Sequence, residues 1–329
     1  MSATPDHPYP PPHLASRVFR LEGWSDPVHA FDEMGAQTKG ALLKVLPDGW
    51  SFDGTRVLDF GCGAGRTLRH FLAEAERGEF RGADIDAASI KWLEENLSPP
   101  LHPWQCATWP PLGLEHGSFD LAWAISVFTH LTHNSIPWLL ELHRLLRPGG
   151  YLIATYMGRS ISELLAHEPW DEDKVGMNVL RHDQSWEAGG PAVLMSDWWV
   201  REHWGRAFEI VDITHDMHHM SWALMCKRDI DLTIEDIARP SDDPRELLAL
   251  RHNVWQLERE IESIRVEQQM ELNELRDEYE RVLSEQRARS SEQEAALAIQ
   301  QESLSWRITR PLRAAGRLVR GRKDESNAS

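Results

Sequence analysis

The apolar pattern of residues 56–71 predicts a buried strand that runs directly into a turn and then a helix. Val57 and Leu58 form a short apolar run, and apolar residues at helical spacing resume after Thr67. Glycines fill the turn between them, and glycine allows both positive φ and the close approach of a ligand. The pattern therefore predicts that the first domain holds a nucleotide-like cofactor. The glycines are Gly61, Gly63 and Gly65.

A second apolar pattern, a heptad seam, begins at Leu250. Its members are spaced alternately by four and three residues as far as Ile264. The seam restarts at Leu272, eight residues later instead of four, and such a four-residue insertion is called a stutter. Charged residues occupy the other faces. The seam predicts a long helix that self-associates or binds a partner helix, and the alternative is one helix that folds back on the first domain. Between residues 288 and 301 the pattern weakens and does not demand a helix.

Composition limits the functions that this chain of 329 residues could have. Its formal net charge of -17 and pI near 5.4 argue against general nucleic-acid binding, which needs clustered Lys and Arg. It has no apolar run of membrane-spanning length and no signal-like N-terminus, so a cytoplasmic location is expected. The three cysteines lack metal-ligand spacing, which predicts reduced structural thiols and no metal site. Cys62 is expected to be a small filler residue within the glycine turn.

The glycine spacing separates three kinds of nucleotide-binding loop. A dinucleotide fingerprint would need glycine where Arg66 stands, and the Gly-Lys-Ser/Thr ending of a P-loop is absent. The remaining pattern, Asp59-x-Gly-x-Gly-x-Gly, resembles the first motif of class I S-adenosylmethionine-dependent methyltransferases. Four further blocks resemble that family in the same order along the chain. They are residues 82–86 (GADID), 117–131, 142–155 and 208–228.

The resemblance implies an α/β fold, with a Rossmann-like, doubly wound, seven-stranded and mostly parallel sheet, followed here by the long coiled-coil helix. It implies a methyltransferase domain at residues 21–228, with a substrate lid inserted at 157–207. A proline-rich mobile arm (1–20) would precede this domain. A linker (229–246), the coiled coil (247–304) and a basic amphipathic tail (305–329) would follow it.

The same resemblance implies S-adenosyl-L-methionine as the cofactor. Asp84 lies where the family carries the acid that binds both ribose hydroxyls, and a carboxylate can accept two hydrogen bonds at once. The chain departs from the family at residues 105–108, where many members carry an acid that holds the adenine amino group. The cofactor-binding residues implied are Asp59, Gly61, Cys62, Gly63, Gly65, Asp84, Ile85, Thr108 and Ile125.

The methyl acceptor is expected to be a hydroxyl group, such as that of a sugar, which is a poor nucleophile at neutral pH. A histidine is therefore expected to act as the general base that removes its proton. His130 is the first candidate, since it follows the block that resembles the family's fourth strand, and His133, His182 and Asp183 follow. A capping or packing role is the alternative for each. Tryptophans of the insertion could stack on a sugar ring or could pack in the core. They are Trp186, Trp198, Trp199 and Trp204.

The tail at residues 305–313, SWRITRPLR, resembles a segment of bacterial glycosyltransferases and methyltransferases of surface-polysaccharide assembly. Its arginines and apolar residues describe a cationic amphipathic segment, which could contact an anionic inner membrane surface or an acidic partner such as a glycosyltransferase. A disordered basic tail is the alternative. The expected function is O-methylation of a sugar in a surface glycan or its precursor. A small-metabolite methyltransferase and a non-catalytic scaffold of polysaccharide assembly are the alternatives.

Overall fold

A computed structural model describes residues 7–17, 26–182, 184–185 and 189–324, and the side chains of these residues except 304 and 316–324. The chain divides into two compact units, Met1–Glu260 and Ile261–Ser329. The first unit holds the sheet and the residues predicted to bind cofactor. The second unit holds most of the long helix and the basic tail.

Seven strands of the first unit form one sheet within the described residues. They are β1 (Arg56–Phe60), β2 (Glu79–Asp84), β3 (Leu101–Gln105), β4 (Phe119–Ala124), β5 (Leu146–Tyr156), β8 (Phe208–Met217) and β9 (Met220–Lys227). Their order across the sheet is β3-β2-β1-β4-β5-β9-β8, and all are parallel except β9, which pairs antiparallel with both β5 and β8. This confirms the predicted seven-stranded, mostly parallel fold. A separate antiparallel hairpin pairs β6 (Met177–Leu180) with β7 (Ala192–Met195).

Helices cover the sheet and continue into the C-terminal part of the chain. In chain order they are α1 (Pro12–Ala15), α2 (Pro27–Val45), α3 (Leu72–Ala75), α4 (Ala87–Asn96), α5 (Ser135–Leu145), α6 (Arg159–Ala166), α7 (Asp197–Ala207), α8 (Ile234–Ala238), α9 (Arg245–Glu302) and α10 (Leu304–Asp324), and a 3-10 turn, Leu68–Phe71, precedes α3. Side-chain caps mark the starts of several of these helices. Asp26 accepts from the N–H groups of Val28 and His29 at the start of α2, and Ser196 caps α7.

The sheet is buried on both faces because successive side chains of each strand point in opposite directions. Val57 packs in a cluster with Phe71 and Trp123. Its neighbour Leu58 packs in the other large cluster, which includes Leu142 of α5 and Trp204 of α7. The adjacent apolar pair that predicted a strand therefore supplies one residue to each core.

The tryptophans of the insertion resolve one of the alternatives left open by the sequence. Trp198, Trp199 and Trp204 are only 5%, 7% and 0% exposed, and all three belong to the core cluster around α5 and α7. The suggestion that they stack on a sugar is wrong, because their faces are covered by protein. Trp186 lies outside the described residues.

Helix α9, Arg245–Glu302, agrees with the long helix predicted at residues 247–304. Helix α9 begins within the predicted linker and continues without a break through residues 288–301. Alanine, glutamine and glutamate dominate that stretch, and their helix propensity sustains a helix without an apolar seam. Seam residues such as Leu272 and Tyr279 are more than half exposed in the single chain. None of the helices in the described ranges combines the length and the apolar character that crossing a membrane requires.

Candidate cofactor and acceptor site

The predicted cofactor residues come together at one edge of the sheet. Asp59 and the glycine turn end β1, Asp84 and Ile85 end β2, Thr108 follows β3, and Ile125 follows β4. These four strands are neighbours and run parallel, so their carboxyl ends share an edge. Doubly wound sheets place their ligands at this edge.

The glycine turn is hydrogen-bonded to the end of β2. The N–H groups of Gly61 and Cys62 donate to the carbonyl of Ala83 at 2.8 and 3.2 Å, and the N–H of Gly63 donates to Asp84 Oδ2 at 2.7 Å. Gly61 must lack a side chain, because a Cβ there would lie 2.4 Å from Val127 Cγ2. Gly63 has φ +52°, and a Cβ there would project into open space. The turn thus leaves room beside Gly63 for a ligand to approach the backbone.

The carboxylate of Asp84 is held in place by the backbone. Its Oδ1 accepts from the N–H of Asp86 at 2.8 Å, while Oδ2 accepts from Gly63. Burial raises the pKa of Asp84, and these two hydrogen bonds act in the opposite direction. Each carboxylate oxygen retains a second acceptor site, so the oriented group can accept from two adjacent hydroxyls.

Asp59 and Cys62 lie beneath the turn. Asp59 is 3% exposed, and burial raises its pKa to about 7. Burial also lowers the pKa of the nearby Arg66 to about 10, an effect that Asp59 opposes. Cys62 Sγ packs where a Cβ on Gly82 would lie, and burial raises the pKa of its thiol well above the usual value. These contacts support the filler role predicted for Cys62.

Ile85 and Thr108 border the turn on the side of β3. Ile85 leaves 37% of its surface exposed directly after Asp84, and its carbonyl accepts from Gln105 Nε2 at 3.2 Å. The carbonyl of Thr108 accepts from Trp138 Nε1 at 3.2 Å, which ties the loop after β3 to α5. Ile125 is 8% exposed on the opposite side. The exposed apolar surface of Ile85 and the carboxamide of Gln105 are suited to a flat heteroaromatic ring.

The candidate bases lie in different places. His130 Nδ1 donates to the carbonyl of Pro191 at 2.8 Å, and burial lowers the pKa of this ring. The His133 ring packs against the Trp109 ring, and the two ring centroids lie 5.3 Å apart. His182 is exposed in the connection after β6, and its backbone N–H donates to Glu260 of α9. Asp183 lies outside the described residues. The structure thus gives His130 a fixed orientation.

A polar cluster that the sequence did not indicate lies at the same edge, beyond β5. Asp197 Oδ1 accepts from the Tyr156 hydroxyl at 2.6 Å, and Asp197 Oδ2 lies 3.1 Å from His215 Nε2. His215 Nδ1 lies 3.0 Å from Ser221 Oγ. Tyr156 and Ser221 are register partners on β5 and β9. A neutral ring whose Nε2–H donates to Asp197 can accept the Ser221 proton at Nδ1, so the cluster forms a continuous hydrogen-bonded path.

Only part of this cluster left a signal in the sequence. Ser196 before the apolar start of α7 is a recognisable helix cap. The meeting of Asp197 with His215 depends on how α7 packs against the end of β8, which no local pattern specifies. In the described residues no group of three or more His, Cys, Asp or Glu side chains is arranged to hold a metal ion.

Comparison with known proteins bears directly on this edge of the sheet. The family model for a methyltransferase domain matches residues 58–152, which run from β1 to β5 and include the glycine turn, Asp84, Ile125 and His130. Residues 58–152 are therefore similar to a methyltransferase domain.

A curated protein is similar to part of the chain. Phthiotriol/phenolphthiotriol dimycocerosates methyltransferase 1 of Mycobacterium ulcerans is 28% identical over 123 residues, which are 37% of this chain and 44% of that protein. The chain therefore spans less than half of the relative it matches.

Two solved structures are also similar to the chain. An S-adenosylmethionine-dependent methyltransferase from Mesorhizobium loti is 19% identical, with a TM-score of 0.47, and the match covers 59% of this chain and 99% of that one. The 1,6-didemethyltoxoflavin-N1-methyltransferase of Burkholderia thailandensis, with bound S-adenosylhomocysteine, is 18% identical, with a TM-score of 0.45. That match covers 68% of this chain and 93% of the Burkholderia protein.

The residues at this edge of the sheet fit S-adenosylmethionine. The open space beside Gly63 would admit the ligand, the oriented carboxylate of Asp84 would suit the ribose diol, and Ile85 would offer an apolar surface to the adenine ring. When bound, the cofactor supplies an electrophilic methyl group on a sulfonium. The protein must then hold an acceptor in line with that methyl and take up the acceptor's proton.

Proposed function

We propose that the protein methylates a hydroxyl group of a sugar in a bacterial surface glycan or its precursor. The observation that carries this proposal is the hydrogen-bonded path of Ser221, His215 and Asp197 at the carboxyl edge of the sheet, next to the end of β5. A hydroxyl acceptor must lose a proton as the new C–O bond forms, whereas a sulfur or nitrogen lone pair needs less assistance. Proton-accepting groups at this edge therefore favour O-methylation.

Two groups could take up that proton. His130 is the first, because its Nδ1–H is fixed on the Pro191 carbonyl, which places the lone pair of the neutral ring on Nε2. Its lowered pKa keeps the ring neutral near pH 7, as a base requires. The second is Ser221, whose hydroxyl could pass a proton to His215 while Asp197 stabilises the resulting imidazolium.

The second unit supports association with other molecules. Its seam presents exposed apolar residues over several turns of α9, which suits pairing with a second copy of the same helix. In α10, Ile308 and Leu312 are more than 70% exposed and arginines flank them, with Arg313 stacked 3.9 Å above the Trp306 ring. We propose that this helix contacts an anionic membrane surface or an acidic partner such as a glycosyltransferase at the cytoplasmic face.

Two alternatives differ in acceptor or in chemistry. A small-metabolite methyltransferase would use the same cofactor and leave the basic tail without a role. A scaffold would bind the cofactor and transfer nothing. The Mycobacterium ulcerans relative is named as a methyltransferase of phthiotriol and phenolphthiotriol dimycocerosates, so apolar lipids are a further class of acceptor to test.

Transfer of labelled methyl groups separates these possibilities. Purified full-length protein would be incubated with methyl-labelled S-adenosylmethionine and with separate pools of nucleotide sugars, lipid-linked glycans, apolar lipids and small metabolites. Label released as an O-methyl sugar after hydrolysis of the glycan pool is the expected result. Label only in small metabolites would favour the first alternative, and cofactor binding without transfer to any pool would favour the scaffold.

A further inference from the structure

A cavity of about 440 Å³ lies on the first unit between α6, the segment that follows it and the beginning of α9. Its volume falls in the range of small-molecule sites in proteins. We infer that this cavity binds a neutral sugar unit. It would serve as an additional subsite for the glycan acceptor, and this role, unlike the binding itself, rests on the proposed function.

The aromatic wall of the cavity is Trp170, which is partly exposed. Its indole Nε1–H is shielded from water and has no hydrogen-bond partner within the described part of the chain. A buried donor without a partner costs free energy until an acceptor reaches it. Tryptophan also offers a flat apolar face, which suits the C–H face of a sugar ring.

Both cations of the wall are paired with acids, and the third acid, Glu168, is held by contacts with His252 and Gln256. Lys174 Nζ lies 2.8 Å from Asp171, and Arg159 lies 3.4 Å from Glu172. Because each cation already faces an acid, an anionic or cationic ligand would have to displace a protein partner. A neutral ligand rich in hydroxyl groups could instead donate to the carboxylates and accept from the cations without separating these pairs.

The first turns of α9 close the remaining side of the cavity. His252 Nε2 lies 3.1 Å from Glu168 Oε1, and Gln256 donates to the same oxygen while its own Oε1 accepts from Asn178. These contacts orient the Glu168 carboxyl and the Gln256 carboxamide in the wall. Such groups, which combine donors and acceptors, are those that recognise sugar hydroxyls.

The hairpin of β6 and β7 connects the cavity with the edge where methyl transfer would occur. Leu194 of β7 lines the cavity, and the neighbouring side chains Val193 and Met195 belong to the main core. The N–H of Val193 donates to the carbonyl of Thr129, next to His130, and Leu194 bridges to Met157, the residue after β5. A chain of sugars could therefore occupy the cavity with one unit and present another at the acceptor position.

Saturation-transfer NMR on the full-length protein tests this inference. The probes are methyl α-mannoside and methyl α-rhamnoside as neutral sugars, and glucose 1-phosphate and spermidine as an anion and a cation. A neutral glycoside is expected to bind, and the charged probes are not. Trp170→Ala is expected to weaken glycoside binding at least about tenfold, which corresponds to about 1.4 kcal/mol. Leu164→Ala, at an exposed position of the preceding helix α6, is the control and should bind as the wild type does.

Affinity for S-adenosylmethionine, measured on each variant, shows whether the fold is intact. No glycoside binding by the wild type, or equal binding by a folded Trp170→Ala variant, would overturn the inference. Stronger binding of glucose 1-phosphate or spermidine would overturn the assignment to a neutral ligand. If glycosides bind in the cavity but no glycan is methylated, the proposed function fails while the binding site stands.

Discussion

The backbone N–H of Gly63 donates to Asp84 Oδ2 across 2.7 Å and so joins the turn after β1 to the end of β2. The carboxylate cannot rotate freely, because Asp86 N–H holds its other oxygen. One hydrogen bond thus positions both the backbone that a cofactor would approach and the acid that would accept its ribose hydroxyls. The cofactor site is organised before any ligand arrives, which lowers the entropic cost of binding.

A methyl group added at Gly63 should block the cofactor. Gly63→Ala places a Cβ in the open space beside Asp84 and strains a left-handed residue by about 1–2 kcal/mol. Gly49→Ala is the matched control, because Gly49 also has positive φ, +78°, and open space around its Cβ position. We expect both variants to melt earlier than the wild type, and only Gly63→Ala to lose S-adenosylmethionine binding in calorimetric titration. Equal binding by both variants would contradict the placement of the cofactor.

Asp59 should make stability depend on pH. Its folded pKa of about 7 exceeds the usual value of 3.8, so between these values the folded state keeps a proton that the unfolded state releases. Stability from this group is therefore present below about pH 4, and it is lost as pH rises to about 7, with a slope of at most about 1.4 kcal/mol per pH unit. Above about pH 7 the contribution is constant.

The variant Asp59→Asn removes the titrating group while keeping its shape. Thermal melting at pH 5, 6, 7 and 8 should show the variant gaining stability relative to the wild type as pH rises. Asp53→Asn, at an exposed position in the turn before β1, should follow the wild-type profile. Parallel pH profiles for the wild type and Asp59→Asn would show that the ionisation of Asp59 is not coupled to folding.

Replacement of His130 tests the first candidate base. His130→Gln should lower turnover about 10²-fold on whichever acceptor is methylated, with affinity for S-adenosylmethionine unchanged. His133→Gln is the control on the same loop. If His130→Gln keeps full turnover and His215→Gln loses it, the proton path through Ser221 and Asp197 provides the base instead.

The exposed seam of α9 should hold two or more copies together. Leu272→Asp places a charge within the seam, whereas Asn273→Asp places the same charge on an adjacent polar position. Analytical ultracentrifugation of the full chain should find an oligomer for the wild type and the control and a smaller species for Leu272→Asp. A monomeric wild type would contradict the proposed self-association.

The parts of the fold that sequence predicted are those specified by local chemistry. Gly61, Gly63 and Asp84 belong to short motifs in which each residue type has one physical reason, and the structure brings them to one edge. The heptad spacing indicated the helix of α9, and helix propensity sustains its end as far as Glu302, where the apolar pattern weakens. The ambiguous tryptophans of α7 needed tertiary packing to be placed in the core.

The acceptor side was less predictable because its contacts join distant parts of the chain. Tyr156, Asp197 and His215 belong to three elements, and their meeting depends on how α7 packs at the ends of β5 and β8. The cavity beside Trp170 likewise depends on the first turns of α9 returning to the insertion. Neither arrangement has a periodicity or motif that a sequence could reveal.

The most direct test of the cofactor site is calorimetric titration of the full-length protein with S-adenosylmethionine. Wild type, Asp84→Asn and Asp86→Asn would be compared, since Asp86 caps α4 next to the site and asparagine can still cap a helix. Micromolar binding by the wild type and Asp86→Asn that is lost in Asp84→Asn is the predicted result. No binding by folded wild-type protein, or equal binding by Asp84→Asn, would contradict the assignment of this edge as the S-adenosylmethionine site.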